Sequence, residues 1–408
     1  MKSIRRKLSL ATCCLLSQGV ATAAEIDNDW ETDSSLLHYS EVERVSVTEL
    51  TGLVSGAVSD SDAVVLNVVF DTMSGATPTG AVRQSTPTFT GASGGGISPS
   101  ASSAALATFD DTRMAINLDW THQQSRLLDI AYNGAISIEN DYRSFSTGVK
   151  AEKETTDRIN RYTAGIAFTW DNVFRVGENA TPAPLSLVSD DNFFGGGDKN
   201  SVDAIVGVTH VINRRTLGQL NLGYGLSKGY LTDPYKVFSV VGNSGVELEQ
   251  YYEKRPGSRN RFTLAGNIIH QLDSSEDIIN AGYRFYSDDW DINSHTINFR
   301  FRHKLPNNRF VEPKVRVYSQ NKASFYHNAI VNDPADMVPT SSIMPDYVSA
   351  DYRLDSMWDI TLGMTYGFTT KTKGDFRARI EYLYQSFDNS EFDTNKAVIA
   401  QISYKKRF

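Results

Sequence analysis

The segment best equipped for chemistry is Asp71-Thr72-Met73-Ser74-Gly75-Ala76-Thr77. Thr77 offers a hydroxyl nucleophile, and Gly75 and Ala76 before it leave the backbone open to a large co-substrate. Asp71 and Ser74 supply an acid and a second hydroxyl nearby. The same residues also spell a turn, because Asp71 and Ser74 can hydrogen-bond the local backbone, Gly75 tolerates left-handed conformations and Pro78 follows.

Other reactive residue types are present without a pattern that activates them. Seven histidines (His38, His122, His210, His270, His295, His303 and His327) are scattered, with no spacing of a metal site. Neither a G-x-S-x-G elbow nor a P-loop occurs, and Ser294-His295-Thr296 is the nearest approach to a Ser-His pair. The acidic run 190–198 lacks the alternating ligands of a calcium loop and reads as a solvated loop. No catalytic residue or metal site is therefore expected, and the chain is expected to be at most a redox carrier rather than an enzyme. Arginines at strand-alternate positions form the second candidate group: Arg284, Arg300, Arg302, Arg316, Arg377 and Arg379. Unpaired, they would favour anions in a pore; paired with Asp119, Asp277 and Glu381, they would close it. Pairing is the default, since a buried charge without a partner is unfavourable.

What must position these groups is a set of strands. Side chains alternate in Thr296-Ile297-Asn298-Phe299-Arg300-Phe301-Arg302, and again through Phe376, Ala378, Ile380, Tyr382 and Tyr384 against Arg377, Arg379, Glu381 and Gln385. Period two gives each segment one apolar and one polar face. Segments of about 10–14 residues suit a tilted bilayer crossing and exceed ordinary sandwich strands. The polar faces combine Arg with Gly, Ser and Thr, as a hydrated lumen requires. The expected fold is an all-β, antiparallel, up-and-down transmembrane barrel of about fourteen strands. They are placed near 35–47, 62–70, 112–122, 130–150, 157–171, 201–212, 216–227, 257–271, 276–287, 292–304, 309–320, 350–367, 375–388 and 396–408.

Lys2, Arg5, Arg6 and Lys7, a short apolar run and Ala21-Thr22-Ala23 predict a signal peptide over 1–23. Both cysteines, Cys13 and Cys14, lie within it, which leaves the mature chain without thiol chemistry. Removing the four signal cations from 40 Lys and Arg, against 48 Asp and Glu, moves the net charge from −8 to about −12. Such acidity argues against nucleic-acid binding. An N-terminal segment, 24–111, would carry the first strands and a flexible loop rich in Gly, Ser, Thr and Pro; 112–408 would form the main barrel. An even strand count puts both termini in the periplasm of a Gram-negative outer membrane. On fourteen strands, 71–111 also becomes periplasmic, and Trp120, Trp170 and Trp290 end outward-running strands in an aromatic girdle. The expected partners are outer-membrane lipids and, through the terminal Phe408, the barrel assembly machinery.

Two resemblances add to this reading. Ser137-Ile138-Glu139-Asn140-Asp141-Tyr142-Arg143-Ser144 resembles a signature of a Gram-negative family of about 400 residues, known as a domain of unknown function. Gly229-Tyr230-Leu231-Thr232-Asp233-Pro234-Tyr235-Lys236, Tyr283-Arg284-Phe285-Tyr286-Ser287-Asp288-Asp289-Trp290 and Ser349-Ala350-Asp351-Tyr352-Arg353-Leu354 resemble three more. That likeness implies an outer-membrane barrel. Separately, 71–77 resembles the D-x-x-[ST]-G-A-[ST] site at which periplasmic flavin transferases attach FMN. It implies covalent FMN on Thr77, with Asp71, Ser74, Gly75 and Ala76 forming the site and with a flavin transferase and redox proteins as partners. Three functions follow as expectations: an FMN-bearing barrel in extracytoplasmic electron transfer, a channel or small-solute transport barrel with an Arg-lined lumen, or a structural or surface-binding barrel.

Overall fold

The computed structural model describes residues 30–42, 44–82, 106–175, 181–190, 192–194, 197–273, 275–332, 340–370 and 374–408. The signal segment 1–23 and most of the Gly/Ser-rich stretch lie outside the described residues. Sixteen antiparallel strands close into one barrel. They are β1 (Glu31–Glu41), β2 (Val45–Ala57), β3 (Asp62–Pro78), β4 (Leu106–Ser125), β5 (Leu128–Ile138), β6 (Tyr142–Glu154), β7 (Asn160–Val173) and β8 (Gly197–Asn213). The second half comprises β9 (Thr216–Gly229), β10 (Ser258–Gln271), β11 (Ile278–Asp288), β12 (Asn293–Leu305), β13 (Arg309–Gln320), β14 (Met357–Thr369), β15 (Asp375–Phe387) and β16 (Thr394–Arg407). β1 pairs with β16 from Glu31↔Arg407 to Glu41↔Ala397, which leaves no open edge.

The count is sixteen rather than fourteen because two expected strands are each a hairpin. The span 130–150 breaks at 139–141 into β5 and β6, and the strand expected at 35–47 breaks at 42–44 into β1 and β2. Adding two strands preserves the even parity, so both termini still share one end. The hairpin β5–β6 nevertheless reverses every assignment between it and the β1–β2 hairpin. The described start of the β3–β4 connection, 79–82, therefore lies at the end opposite the termini, together with the described parts of the long connections: 174–175, 181–190, 192–194, 230–257, 321–332 and 340–356. The expectation that 71–111 lies on the side of the termini fails for its described residues, 71–82 and 106–111, of which 71–78 and 106–111 are strand, not loop; 83–105 lie outside the described residues. The division at 111/112 also falls inside β4, so the first strands belong to the same barrel.

Leu66, Phe70, Ile116, Phe168, Leu220, Ile268, Ile297 and Leu362 point outward and are exposed, forming an apolar belt around the barrel. An exposed apolar surface on this scale is what a bilayer covers. Aromatic pairs flank the belt: Trp120 stacks on Tyr132 with 5.3 Å between ring centroids, and Trp170 on Phe145 at 5.6 Å. Trp120 lies toward the terminus end, since β4 runs that way. Trp290 is not in a girdle at all; it is buried past the end of β11, edge-on to Phe325.

The apolar core lies outside the barrel wall. At the end opposite the termini the long connections fold together into a cap. Its centre is a three-stranded sheet of Val237–Val241, Glu247–Tyr252 and Ala329–Val331. Phe238, Val240, Ile330, Val348 and Ala350 form one buried cluster, and Trp290, Ile292, Ala323, Phe325, Tyr326 and Leu354 another. Residues 350–356, expected to begin a strand, instead belong to this cap and hold a short 3₁₀ turn, Tyr352–Leu354.

Candidate functional site: a capped mouth above a charged lumen

The cap is bound to itself and to the barrel wall by buried charge. Asp351, fully buried, accepts from Arg255 Nη2 at 2.8 Å and from Arg353 Nη2 at 2.6 Å. Burial alone would raise its pKa, but the positive charges of Arg353, Arg255 and Lys236 hold it well below the usual carboxylate range. Glu253 pairs with Arg255 at 2.6 Å and accepts from the Ser349 hydroxyl. Its pKa is pushed up by burial, which Arg255 only partly offsets. Arg353 also reaches Asp233 at 2.7 Å. Lys236 donates to the Pro78 carbonyl at the end of β3 and lies over the Tyr352 ring. Burial lowers the Lys236 pKa, with Asp351 opposing.

Wall contacts continue around the rim. Val237 N–H donates to Thr79 O at 2.9 Å, and Val82 N–H to Ser239 Oγ at 3.0 Å, so the chain beyond β3 runs into the cap sheet. Asp355 accepts from Asn389 and Ser390 in the β15–β16 turn, and Arg44 of the β1–β2 turn lies 4.5 Å over Phe392. Asp288 at the end of β11 holds Arg259 at 2.5 Å, and Arg259 lies 4.1 Å over Trp290.

The 71–77 residues do not form one surface. Asp71 faces the lumen, buried, and accepts from Arg113 Nε at 2.6 Å; Arg113 also lies 3.7 Å from Glu49. Ser74 is exposed on the opposite face of β3. Gly75 has φ +135°, and a Cβ there would stand 2.1 Å from the Arg44 carbonyl, which explains glycine by conformation alone. Ala76 N–H donates to that carbonyl at 3.3 Å. Thr77 is half-buried, its hydroxyl 3.4 Å from Lys236 Nζ.

The six candidate arginines project into the lumen and divide into two sets. Arg302 pairs with Glu312 at 2.6 Å, Arg379 with Glu381 at 3.4 Å and Arg377 with Asp33 at 3.7 Å. Arg284, Arg300 and Arg316 have no carboxylate within salt-bridge distance among the described residues. Of the three acids expected to pair with arginines, only Glu381 does so. Asp119 accepts from Asn133 at 2.9 Å, and Asp277 lies in the β10–β11 turn against His303 at 2.9 Å. Ser294 and His295 alternate across the wall, with His295 bonded to Tyr283 at 2.8 Å on the outer face, so they form no catalytic pair.

The profile of the family described as "Protein of unknown function (DUF3570)" matches residues 5–404. The chain belongs to that family. The four signatures of this DUF3570 protein (137–144, 229–236, 283–290 and 349–354) all meet at the capped mouth, a convergence that sequence reading did not anticipate. No curated protein matches the chain. Among solved structures, a bacterial polysaccharide outer-membrane secretin is 9% identical, with a TM-score of 0.48 over 94% of this chain and all of the other. OccK5 (OpdH) of Pseudomonas aeruginosa is 8% identical, with a TM-score of 0.41 over 93% of this chain and 97% of the other. The ferric enterobactin receptor of the same organism gives 9% and 0.45; this chain covers 90% of itself and 55% of that longer protein. These scores describe a general likeness of form. The closed barrel and its apolar belt identify an outer-membrane-type barrel on their own.

One further mouth cluster escaped the sequence reading. Asp111, Glu139 and Asp141 bring carboxylate oxygens within 4.8 Å of one another. Burial, followed by the charge of Asp111, pushes Glu139 up to about 7. Asp111 and Glu139 are 28 positions apart, and only the β4–β5 register brings them together.

Proposed function

We propose that this DUF3570 protein is a gated outer-membrane channel for small hydrophilic solutes, closed in this conformation by its cap. One observation carries the reading: a sixteen-stranded barrel, wide enough for an aqueous lumen, has polar and partly unpaired charged walls and carries at one mouth a fastened, independently cored cap. A structural barrel has no need of hydrated, unpaired arginines. With the termini in the periplasm, the cap faces the exterior and the uncapped end faces inward. Planar-bilayer recording tests the reading. The native protein should be mostly silent with rare openings, and deletion of 237–252 should give steady conductance. Silence in both proteins, with the barrel folded, would remove it.

The FMN reading rests on the spacing of 71–77 and on the Thr77 hydroxyl, which is engaged only by Lys236 among the described residues. Because Lys236 and the cap cover that hydroxyl, attachment would have to precede cap closure. On the proposed orientation it would also occur before export of that end of the barrel. Co-expression with a flavin transferase tests it: in-gel flavin fluorescence that disappears in Thr77→Ala supports the assignment. No fluorescence, or its survival in Thr77→Ala, rejects it.

A further inference from the structure

We propose that Arg284, Arg300 and Arg316 form a mid-lumen subsite for a small organic anion bearing two or more carboxylate or phosphate groups. This names the solute class of the channel proposed above and rests on that reading. Most carboxylates of this wall are already engaged; the exception is Asp359 of β14, which lies diagonal to Arg316 and feels its charge without an ion pair. Glu312 is committed to Arg302, Glu381 to Lys314 at 2.9 Å as well as to Arg379, and Asp288 to Arg259. Asp203 holds Arg261 at 3.0 Å, and Asp33 reaches across to Arg377. The three remaining guanidiniums therefore make no ion pair among the described residues, and of the three it is Arg316 that has a free carboxylate, Asp359, in its neighbourhood.

They lie on three adjacent strands, β11, β12 and β13, near mid-height. Arg300 pairs in register with Lys314, two positions from Arg316, while Arg284 and Arg316 flank β12 opposite Thr296 and Asn298. Arg300 and Arg316 are diagonal neighbours, roughly 7–8 Å apart. Arg284 lies four positions along β11 from Asn280, the partner of Arg300, roughly 13 Å away at ~3.3 Å per residue, too far for one carboxylate to bridge all three. The positions between them are small or neutral: Asn280, Gly282, Thr296, Asn298, Thr361 and Gly363. At Gly363 a Cβ would strike the Glu381 side chain at 2.8 Å, so the glycine lets Glu381 lie flat and reach Lys314. Arg284 is exposed to the lumen, and Arg316 lies against Tyr318 and Arg284 against Tyr286. Guanidinium forks on aromatic supports are suited to bidentate capture of carboxylate or phosphate.

Equilibrium dialysis of the full-length barrel in detergent tests this, with citrate and pyrophosphate as probes and acetate as the monoanion control. The native protein should bind citrate or pyrophosphate at least about ten-fold more tightly than acetate. Each of Arg284→Gln, Arg300→Gln and Arg316→Gln should weaken that binding by about ten-fold, the scale of one charge-assisted contact. Glu381→Gln, which frees Lys314 and Arg379, should tighten it, a gain that misfolding does not produce. Equal affinity for acetate, or unchanged binding in the triple Gln variant, overturns the subsite. Binding does not depend on conductance. A barrel that binds but never conducts defeats the channel and keeps the subsite, whereas one that conducts without binding defeats the subsite alone.

Discussion

The ammonium of Lys236 donates to the Pro78 carbonyl and lies 3.4 Å from the Thr77 hydroxyl, 159 residues earlier in the chain. A buried cation thereby joins the backbone bond from Val237 N–H to Thr79 O in fastening a cap loop to the end of a barrel strand. Lys236→Met should preserve the apolar stem but leave Pro78 O without its donor and Asp351 with less compensating charge. Amide exchange at Val237, whose N–H is bonded to Thr79 O, should then accelerate at least about ten-fold, as expected for loss of a charged hydrogen bond. Unchanged protection at Val237 would show that the fastening lies elsewhere.

Asp351 should be the most sensitive residue of the cap. It compensates Arg255 and Arg353 at once, and its backbone N–H is held by Ser349 Oγ at 3.1 Å. Asp351→Asn keeps the shape but removes the shared charge between Arg255, left with Glu253, and the exposed Arg353, left with Asp233, a loss of about 1.5–3 kcal/mol on the scale of a charged hydrogen bond. The cap should melt below the barrel, visible as a separate early transition in near-ultraviolet circular dichroism of the Trp290 environment. A single unshifted transition would refute the dependence.

The barrel was legible in the sequence wherever a strand alternated cleanly between membrane and lumen, as β12 and β15 do. Hairpins with uninformative turns were not. The β1–β2 turn, Val42-Glu43-Arg44, contains no Gly, Pro, Asn or Asp, so nothing in its composition marks a reversal. The β5–β6 turn does contain Asn140 and Asp141, the available signal, but alternation on both sides ran through it. That single omission placed Thr77 at the wrong end of the barrel. The cap was illegible for a different reason. Its stability comes from pairs such as Arg255–Asp351, 96 residues apart, and from short strands whose partners lie in other loops. The division of the lumenal arginines into paired and unpaired sets depends on register in the same way.

Gly75 separates the two explanations of its segment. At φ +135° any side chain is strained, and the added Cβ of Gly75→Ala would meet the Arg44 carbonyl. Strain of about 1–3 kcal/mol, plus displacement of the β2 end from β3, should reduce the heat-modifiable folded band on gels with no flavin transferase present. If Gly75→Ala assembles normally and loses only a flavin signal, glycine serves the modifying enzyme and not the fold.

Glu139 should make the mouth pH-sensitive. Its carboxyl is surrounded by Asp111 of β4, Asp141 of its own turn and Asp71 of β3, with Arg113 the opposing charge. Burial and these neighbours raise it from an ordinary 4.5 to about 7. A group whose folded pKa is raised contributes stability that is complete below the unfolded value and is lost as pH rises through the folded one. The β5–β6 turn should therefore be tightest near pH 4.5 and loosen progressively toward and above pH 7, as Glu139 ionises beside Asp111. Amide exchange at Glu139, whose N–H donates to Tyr142 O at 2.8 Å, reports this after correction for intrinsic rates. Glu139→Gln should flatten the pH dependence between about 4.5 and 7 while leaving the acid-side protection intact. A profile with the same slope in the variant would assign the titration to Asp111 or Asp141 instead.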